Sequence, residues 1–482
     1  MNKFLFYFKK IIPVKLYRKI QPGYHFLSSF LASFFYCFPS EKLVVIGITG
    51  TSGKTSSVYL MAKALSDSGY KTGYTSTAMF SDGENEWLNN KKMTMVGPFF
   101  TQRILRRMVR NGCSYAIVET TSEGIRQFRH RFINYDILVF TGIYPEHIES
   151  HGSFDNYKKA KGELFFHLKR CRAKFLDVNN KIVKAKNNLT KIDLTRVKKT
   201  SIINGDDAES LYFSSFWSEE KIFYFDKIRK NFNGLGVFYE NISVHPEGTS
   251  FNFISKKNND APSNFKKINL SLWGDFNVLN CLPTLCLPLI LNNIDFDKIV
   301  SGLEKVKNIP GRLELINIGQ NFLVIVDYAY EPTAMEKLYN LIYFFKENLF
   351  NSGYQGKIIH ILGSAGGGRD QDRREVLGKI AGAKADYVIV SNEDPYDENP
   401  LDIINQVANG AKSVGKEEGT NLFRILDRRE AIKKGVQLAQ EGDLLLLTGK
   451  GCEQAICLAN GEKKPWDDRL IVKEEIIKIV NK

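Results

Sequence analysis

The sequence predicts an α/β protein with two helix-covered parallel sheets. Two observations carry that expectation. From Leu43 onward short β-rich runs alternate with amphipathic helices, the pattern of strands buried on both faces. A second alternating series starts near "NIPGRLELI" and reaches the end of the chain. Its order of strands and helices is Rossmann-like. At 482 residues the chain is long enough for two or three domains, each with its own core. The expected boundaries are 1–42 for a basic, aromatic N-terminal segment, 43–308 for a central domain and 309–482 for a C-terminal domain.

The N-terminal segment holds Lys3, Lys9, Lys10, Lys15, Arg18 and Lys19 with no acidic residue before Glu41, followed by "YHFLSSFLASFFYCFP". The aromatic run is shorter than the roughly 20 residues a spanning helix needs. It also lacks an A-x-A-like cleavage site, so it does not read as a signal peptide. Two readings stand: an interfacial anchor through residues 1–40 on an anionic membrane face, or a helix pair packed on the body of the protein.

Next, "KLVVIGITG" reads as a strand, and "KTSSVYLMAKALSDSG" as a helix with Val58, Met61 and Leu65 in register and Gly69 closing it. "SYAIVETT" and "DILVFTGI" are further buried strands. Residues 172–265 are Lys/Asn-rich and weakly periodic, and are expected to form an antiparallel elaboration with exposed loops. In the second series, strands "FLVIVDYAY", "KIIHILGS", "DYVIVSNE", "FRILD" and "DLLLLTGKG" are separated by helices starting near Pro332, Arg373, Pro400 and Arg428.

Composition is that of a globular protein, 43% hydrophobic and 25% charged. A net charge of +14 suits anionic partners. No RNP-type signature, zinc knuckle or recognition-helix pattern is present, which sets nucleic acid below phosphorylated small molecules. Seven scattered cysteines without C-x-x-C spacing suit reduced thiols, hence the cytoplasm.

The chemistry begins at "GITGTSGKTSS", which follows a strand and opens a helix, the setting of a phosphate loop. Gly50 and Gly53 let backbone N–H groups approach anionic oxygens, Lys54 adds a point charge, and Thr55 offers a hydroxyl to Mg²⁺. The spacing departs slightly from G-x-x-x-x-G-K-[ST], since Ile48 stands at the first glycine position. Glu119 ends one neighbouring strand and His147 follows another, where open α/β sheets place metal and nucleotide ligands; either could instead be a solvated loop residue. In "NYKKAKGELFFHL", Lys161 falls on the apolar face with Tyr157, Ala160, Leu164, Phe165 and Leu168, on a helix that Ser153 can cap. Burial would favour its neutral amine, which can add CO₂ to become an anionic carbamate; the alternative is a stem in the seam with the ammonium in water.

In order, "TGTSGKT", "ETTSE", "PEHIESHG" with "YKKAKGELF", "GDFNVLN", "GRLE", "VDYAYEP" and "GKGCE" resemble the Mur ligase superfamily, from about Leu43 to the C-terminus. The detail is most like its muramyl-tripeptide synthetases, which add the third residue of the peptidoglycan stem peptide. The resemblance implies an ATP-dependent amide ligase joining an amino acid to a muramyl-peptide acceptor through an acyl phosphate. Gly50, Thr51, Ser52, Gly53, Lys54 and Thr55 then correspond to the ATP phosphate loop, Thr55 and Glu119 to one Mg²⁺ site, and His147 with carbamylated Lys161 to a second. Asn277 and Asn280 match adenine-side positions, and Arg312 and Asp327 match nucleotide contacts from the C-terminal domain. Thr121, Gln127 and Arg129 match acceptor positions. Arg369, Asp394, Tyr396, Gly449 and Glu453 match positions around the incoming amino acid.

Three departures qualify the resemblance. Relatives carry a uridine-binding domain of roughly a hundred residues before the phosphate loop, where this sequence has about forty. The expectation is an acceptor whose uridine diphosphate is gripped differently, or one that is lipid-linked. Tyr396 stands where diaminopimelate-adding relatives have an arginine that clamps a distal carboxylate, which favours lysine or a smaller amino acid. Cys452 and Tyr330 replace usual histidines. Folylpolyglutamate and cyanophycin ligases share the core, and a catalytically silent membrane scaffold is the rival outside enzymes.

Overall fold

The computed structural model describes residues 14–146, 148–177, 181–183, 194–229, 232–258, 263–348, 356–368 and 371–480. The first sheet is built from β1 (Val44–Thr49), β2 (Thr72–Thr75), β3 (Met79–Ser81), β4 (Glu86–Leu88), β5 (Tyr115–Glu119) and β6 (Ile137–Phe140). β1 lies between β5 and β6, parallel to both, and every residue of it is buried. Its run of β-branched residues suits that position, since each fully buried Val or Ile contributes about 1.5–3 kcal/mol. The helix Lys54–Asp67 packs back on the sheet through Val58, Met61 and Leu65, and Gly69 beyond it takes a positive φ.

The polar stretch only partly forms what its composition suggests. β7 (Lys174–Leu176), β8 (Ile182–Val183) and β9 (Thr195–Val197) make a small antiparallel sheet. β10 (Thr200–Asn204), β11 (Glu220–Phe225) and the start of β12 (Leu235–His245) instead continue the main sheet in parallel from β6. β13 (Gly248–Lys257) and β14 (Ser263–Leu270) then close the edge antiparallel, giving eleven strands among the described residues. The expectation of an antiparallel elaboration is therefore corrected for β10 and β11. "TSIIN" is covered on both faces, and such a strand shows no alternation to read.

Below the sheet, Asp136 accepts hydrogen bonds from the Val45 N–H (2.8 Å), Lys174 Nζ (2.5 Å) and Lys199 Nζ (2.8 Å), with all three side chains out of water. Two ammonium groups thus share one carboxylate beneath the strands that carry the phosphate loop.

The second sheet runs β15 (Glu314–Leu315), β16 (Leu323–Val326), β20 (Leu444–Leu447), β17 (Ile358–Leu362), β18 (Tyr387–Ser391) and β19 (Leu422–Ile425). All but β15 are parallel, and the intervening helices start at Pro332, Arg373, Pro400 and Arg428. A last helix, Asp468–Val480, is tied in by a buried bidentate pair: Arg428 Nε and Nη2 donate to Asp468 at 2.8 and 2.6 Å. Arg428 also donates to the Thr448 carbonyl at 2.8 Å, at the start of the loop after β20.

At the N-terminus, the described residues form one helix, Val14–Phe35, and not a pair. One side packs on the body through Ser29, Ala32 and Ser33, with the Phe26 and Phe30 rings 5.2 and 5.4 Å from Phe132. The other side exposes Tyr24, Leu27, Leu31, Phe34 and Phe35 at helical spacing, the last two by 65% and 70%. Among the described residues no helix is long and apolar enough to cross a membrane.

Candidate active site

A cleft of about 350 Å³ opens between the two sheets, lined by Lys54, Glu119 and Asn280 on one side and Arg312, Asp327 and Glu331 on the other. Its floor is the loop between β1 and the helix that begins at Lys54. The Thr51 N–H donates to the Gly142 carbonyl at 2.7 Å, and Thr141 Oγ1 donates to the Ser52 carbonyl at 2.6 Å, pinning the loop to the end of β6. Gly50 and Gly53 both take positive φ, and a Cβ would strike the Thr141 hydroxyl at the first and Asn280 Oδ1 at the second. Two residues of the loop thus carry no side chain over the backbone, and the N-terminus of the helix Lys54–Asp67 lines the cleft, the usual arrangement for phosphate. Lys54 Nζ folds onto the Thr51 carbonyl at 2.6 Å.

Thr55 Oγ1 lies 3.2 and 3.0 Å from the two Glu119 oxygens, which also accept from the Thr77 N–H (2.8 Å) and hydroxyl (3.0 Å). Glu119 is buried, so the pair presents hard oxygen donors in the cleft wall, a set suited to a magnesium-sized cation.

Lys161 does not snorkel. Ser153 Oγ accepts from the Asn156 N–H and caps the helix Phe154–Leu168, whose apolar face turns inward. Lys161 is carried inward with it, 1% exposed, and its Nζ donates to the Gly50 carbonyl of the phosphate loop at 2.7 Å over the Tyr157 ring. Burial, and then the Lys54 charge, push its ammonium well below the usual lysine range, against the opposing pull of Glu146 and Glu119. Both influences favour the neutral amine beside this loop.

On the facing wall, Arg312 Nη2 reaches Thr55 Oγ1 at 3.3 Å and its guanidinium stacks 4.2 Å over the Tyr328 ring. Asp327 accepts from the Leu313 N–H (2.6 Å) and the Ala329 N–H (2.7 Å), so its carboxylate shapes the two loops around Arg312. Asn277 and Asn280 line the cleft; Asn277 Nδ2 donates to the Trp273 carbonyl at 2.8 Å. Thr121 lines it as well, its hydroxyl capping a short helix by accepting from the Gly124 N–H. Gln127 and Arg129 lie just beyond that helix, where Arg129 donates to Gln127 Oε1 and to the Met95 carbonyl.

Asp394, Glu453 and Gly449 gather in a neighbouring cluster. Glu453 Oε1 accepts from the Tyr328 hydroxyl at 3.1 Å, which links the cluster to Arg312. Gly449 has φ 95°, and a Cβ there would run into the Glu393 carboxylate. Tyr396 has φ 52° and its N–H donates to the Cys457 carbonyl at 3.1 Å. His147 and Arg369 lie outside the described residues.

Sequence reasoning missed several residues that complete the site. Glu146 and Glu331 face each other across the cleft, bonded to Tyr330 and Tyr144 respectively. Burial, then the Glu146 charge, pushes Glu331 up to about 7. Glu146 stood in a quoted motif, one residue before His147; nothing in the sequence tied it to Glu331. Lys450 was equally legible inside "GKG", whereas Lys92 had no signal beyond its charge.

Comparison with known proteins finds matches in both halves of the chain. Residues 48–197 match the Mur ligase middle domain, and residues 311–451 match the Mur ligase glutamate ligase domain. The chain is 35% identical over 458 residues to UDP-N-acetylmuramyl-tripeptide synthetase of Borreliella burgdorferi, covering 94% of this chain and 80% of that protein. It is 30% identical to the UDP-N-acetylmuramoyl-L-alanyl-D-glutamate–2,6-diaminopimelate ligase of Bacillus licheniformis, with 93% and 82% covered. In fold it is similar to the folylpolyglutamate synthase of Mycobacterium tuberculosis, with a TM-score of 0.61 at 14% identity and 88% and 92% covered.

Proposed function

This chain belongs to the Mur ligase family and is an ATP-dependent amide-forming ligase of peptidoglycan precursor synthesis, and we propose that it adds lysine or a smaller amino acid to a muramyl-peptide acceptor through an acyl phosphate. The observation that carries this reading is the buried Lys161 amine on the Gly50 carbonyl of the phosphate loop.

In the proposed reaction, the loop of residues 50–55 and Lys54 hold the ATP phosphates while an acceptor carboxylate attacks the γ-phosphoryl group in line. Arg312, reaching over from the C-terminal domain, sits beside Thr55 and holds charge at the transferring phosphoryl. The amine of the incoming amino acid then attacks the acyl carbon, and phosphate leaves. Thr55 and Glu119 are the oxygen donors for one Mg²⁺; Lys161 as a carbamate, with His147, would supply donors for a second. Bound there, the metal neutralises phosphate charge.

Thr121, Gln127 and Arg129 are assigned to the acceptor, Asn277, Asn280 and Asp327 to the nucleotide side, and Arg369, Asp394, Tyr396, Gly449 and Glu453 to the amino acid. Tyrosine offers no bidentate partner for a distal carboxylate, which disfavours diaminopimelate. The same reading takes 1–42, 43–308 and 309–482 as the domain limits.

We further propose peripheral contact with an anionic membrane face through the helix Val14–Phe35. Its exposed aromatic stripe adjoins a segment with six basic residues and no acidic one. Deleting residues 1–40 should abolish sedimentation with phosphatidylglycerol vesicles, and unchanged sedimentation would end that idea.

The functional test is a screen of amino acids for ADP release with nucleotide-linked and lipid-linked muramyl acceptors. Release that depends on both an acceptor and an amino acid supports the reading. Release with a folate or cyanophycin acceptor, and none with muramyl acceptors, would replace it.

A further inference from the structure

The amino-acid cluster already holds an ammonium, and it belongs to the protein. Asp394 and Glu453 come from the loops after β18 and β20, and the C-terminal domain itself anchors one oxygen of each. Asp394 Oδ1 accepts from Lys450 Nζ at 2.9 Å and from the Cys457 N–H at 2.7 Å. Glu453 Oε1 accepts from the Tyr328 hydroxyl at 3.1 Å. The remaining oxygens, Asp394 Oδ2 and Glu453 Oε2, meet at Lys92 Nζ, 2.7 Å from Asp394 and in direct contact with Glu453. Lys450 is also 2.9 Å from Glu453 Oε2.

Lys92 comes from the other sheet, on the loop after β4, and its side chain is 4% exposed. Its φ is 54°, a left-handed conformation that costs a residue with a Cβ, so the loop is strained where it delivers the ammonium. The loop is held on the approach to Lys92: Asn89 Nδ2 donates to the Ser76 carbonyl, and Lys463 Nζ donates to the Lys91 carbonyl. The Thr94 hydroxyl meets Thr77, which bonds Glu119 in the cleft. Two carboxylates against Lys92 and Lys450 balance in charge. Withdraw Lys92 and the C-terminal domain keeps a preformed carboxylate pair with one excess negative charge: Asp394 Oδ2 loses its ammonium, and Glu453 Oε2 keeps Lys450 alone.

We propose that Lys92 is a tethered occupant of the site that receives the side-chain ammonium of an incoming diamino acid, a latch between the domains that this substrate displaces. The proposal rests on the ligase reading above. It deepens that reading by naming the amino-acid class: one with a second ammonium on a flexible chain, such as lysine or ornithine. Apparent affinity for such a substrate is then lowered by the fraction of time the latch is closed.

The test compares the full-length wild type with Lys92→Met and Lys92→Arg, measuring ADP release against lysine, ornithine and norleucine. For Lys92→Met the expected result is a KM for lysine and ornithine lower by about tenfold, as for a latch closed nine-tenths of the time, with the KM for ATP unmoved. Lys92→Arg should stay near wild type, and norleucine should not be ligated by any of the three. A KM for lysine that is unchanged or raised in Lys92→Met would overturn the latch, as would norleucine turned over as well as lysine. Wild-type protein that releases no ADP with any amino acid would instead remove the ligase reading, and the latch with it.

Discussion

Two places beside the cleft each bury a lysine head group, and they treat it in opposite ways. At the phosphate loop, Lys161 meets a backbone carbonyl, and burial followed by the Lys54 charge drives it toward the neutral amine. At the Asp394–Glu453 cluster, burial also works against the charge of Lys92, but Glu453 and Asp394 outweigh it and lift the ammonium above the usual lysine range. Depth alone therefore does not decide protonation. Burial sets the cost of charge, and bonded carboxylates offset it: two outweigh it at Lys92, whereas at Lys174, which shares Asp136 with Lys199, burial still holds the ammonium below the usual lysine range. A lysine shifted toward its neutral amine is fit to react with CO₂; one shifted toward its charged form is fit to hold or release an ion pair.

The largest effect that would test this contrast is at Lys161. Lys161→Ala should lower ligation on the order of 10³-fold, since a preorganised charge-stabilising group is lost beside the transferring phosphoryl. A small carboxylic acid added to the assay should restore part of the rate. An untouched rate would remove the carbamate from the mechanism. Next comes the cluster under the sheet, where Lys174 and Lys199 share Asp136. Asp136→Asn leaves two buried ammonium groups without a compensating charge and should cost about 3–5 kcal/mol in chemical denaturation. A loss below about 1 kcal/mol would show that a carboxylate is not what keeps a buried lysine charged here.

A smaller effect follows from a buried base with no carboxylate bonded to it. His360 bonds the Tyr339 and Thr448 hydroxyls at 2.8 and 2.9 Å, and burial, then Arg428, lowers it to about 3. The unfolded chain takes up this proton below about pH 6.5 while the folded protein refuses it, so stability falls as pH drops through that window. Between pH 6.5 and 5 the loss should be about 2 kcal/mol from His360. Unfolding midpoints measured across that range should show it, and His360→Gln should remove that share, leaving the part owed to the buried His130 and His167, which burial also holds below the usual histidine range.

How much of this was legible in the sequence depends on how far apart the partners stand. The phosphate loop, Glu119 and Lys161 were readable because each announces itself locally: glycines before Lys-Thr, an acid at a strand end, a lysine on an apolar helical face. The C-terminal strands and helices were readable for the same reason, since both periodicities are clean there. Lys92 was not, because its meaning depends on Asp394 and Glu453, 302 and 361 residues away along the chain. Glu331 was missed likewise, as its partners Tyr144 and Glu146 lie on the loop after β6, nearly two hundred residues back along the chain. β10 and β11 escaped because Lys/Asn-rich loops dilute a short strand that is buried on both sides.

The Arg428–Asp468 pair gives the tail of the chain an influence out of proportion to its position. Asp468 opens the last helix, and the same guanidinium grips the backbone one residue before Gly449. Trimming the protein ahead of Asp468 would strand a charged guanidinium in the core and slacken the turn that presents Lys450 and Glu453. The terminal helix works as a keystone, and damage to it should be felt first as poor amino-acid capture, well before the molecule comes apart.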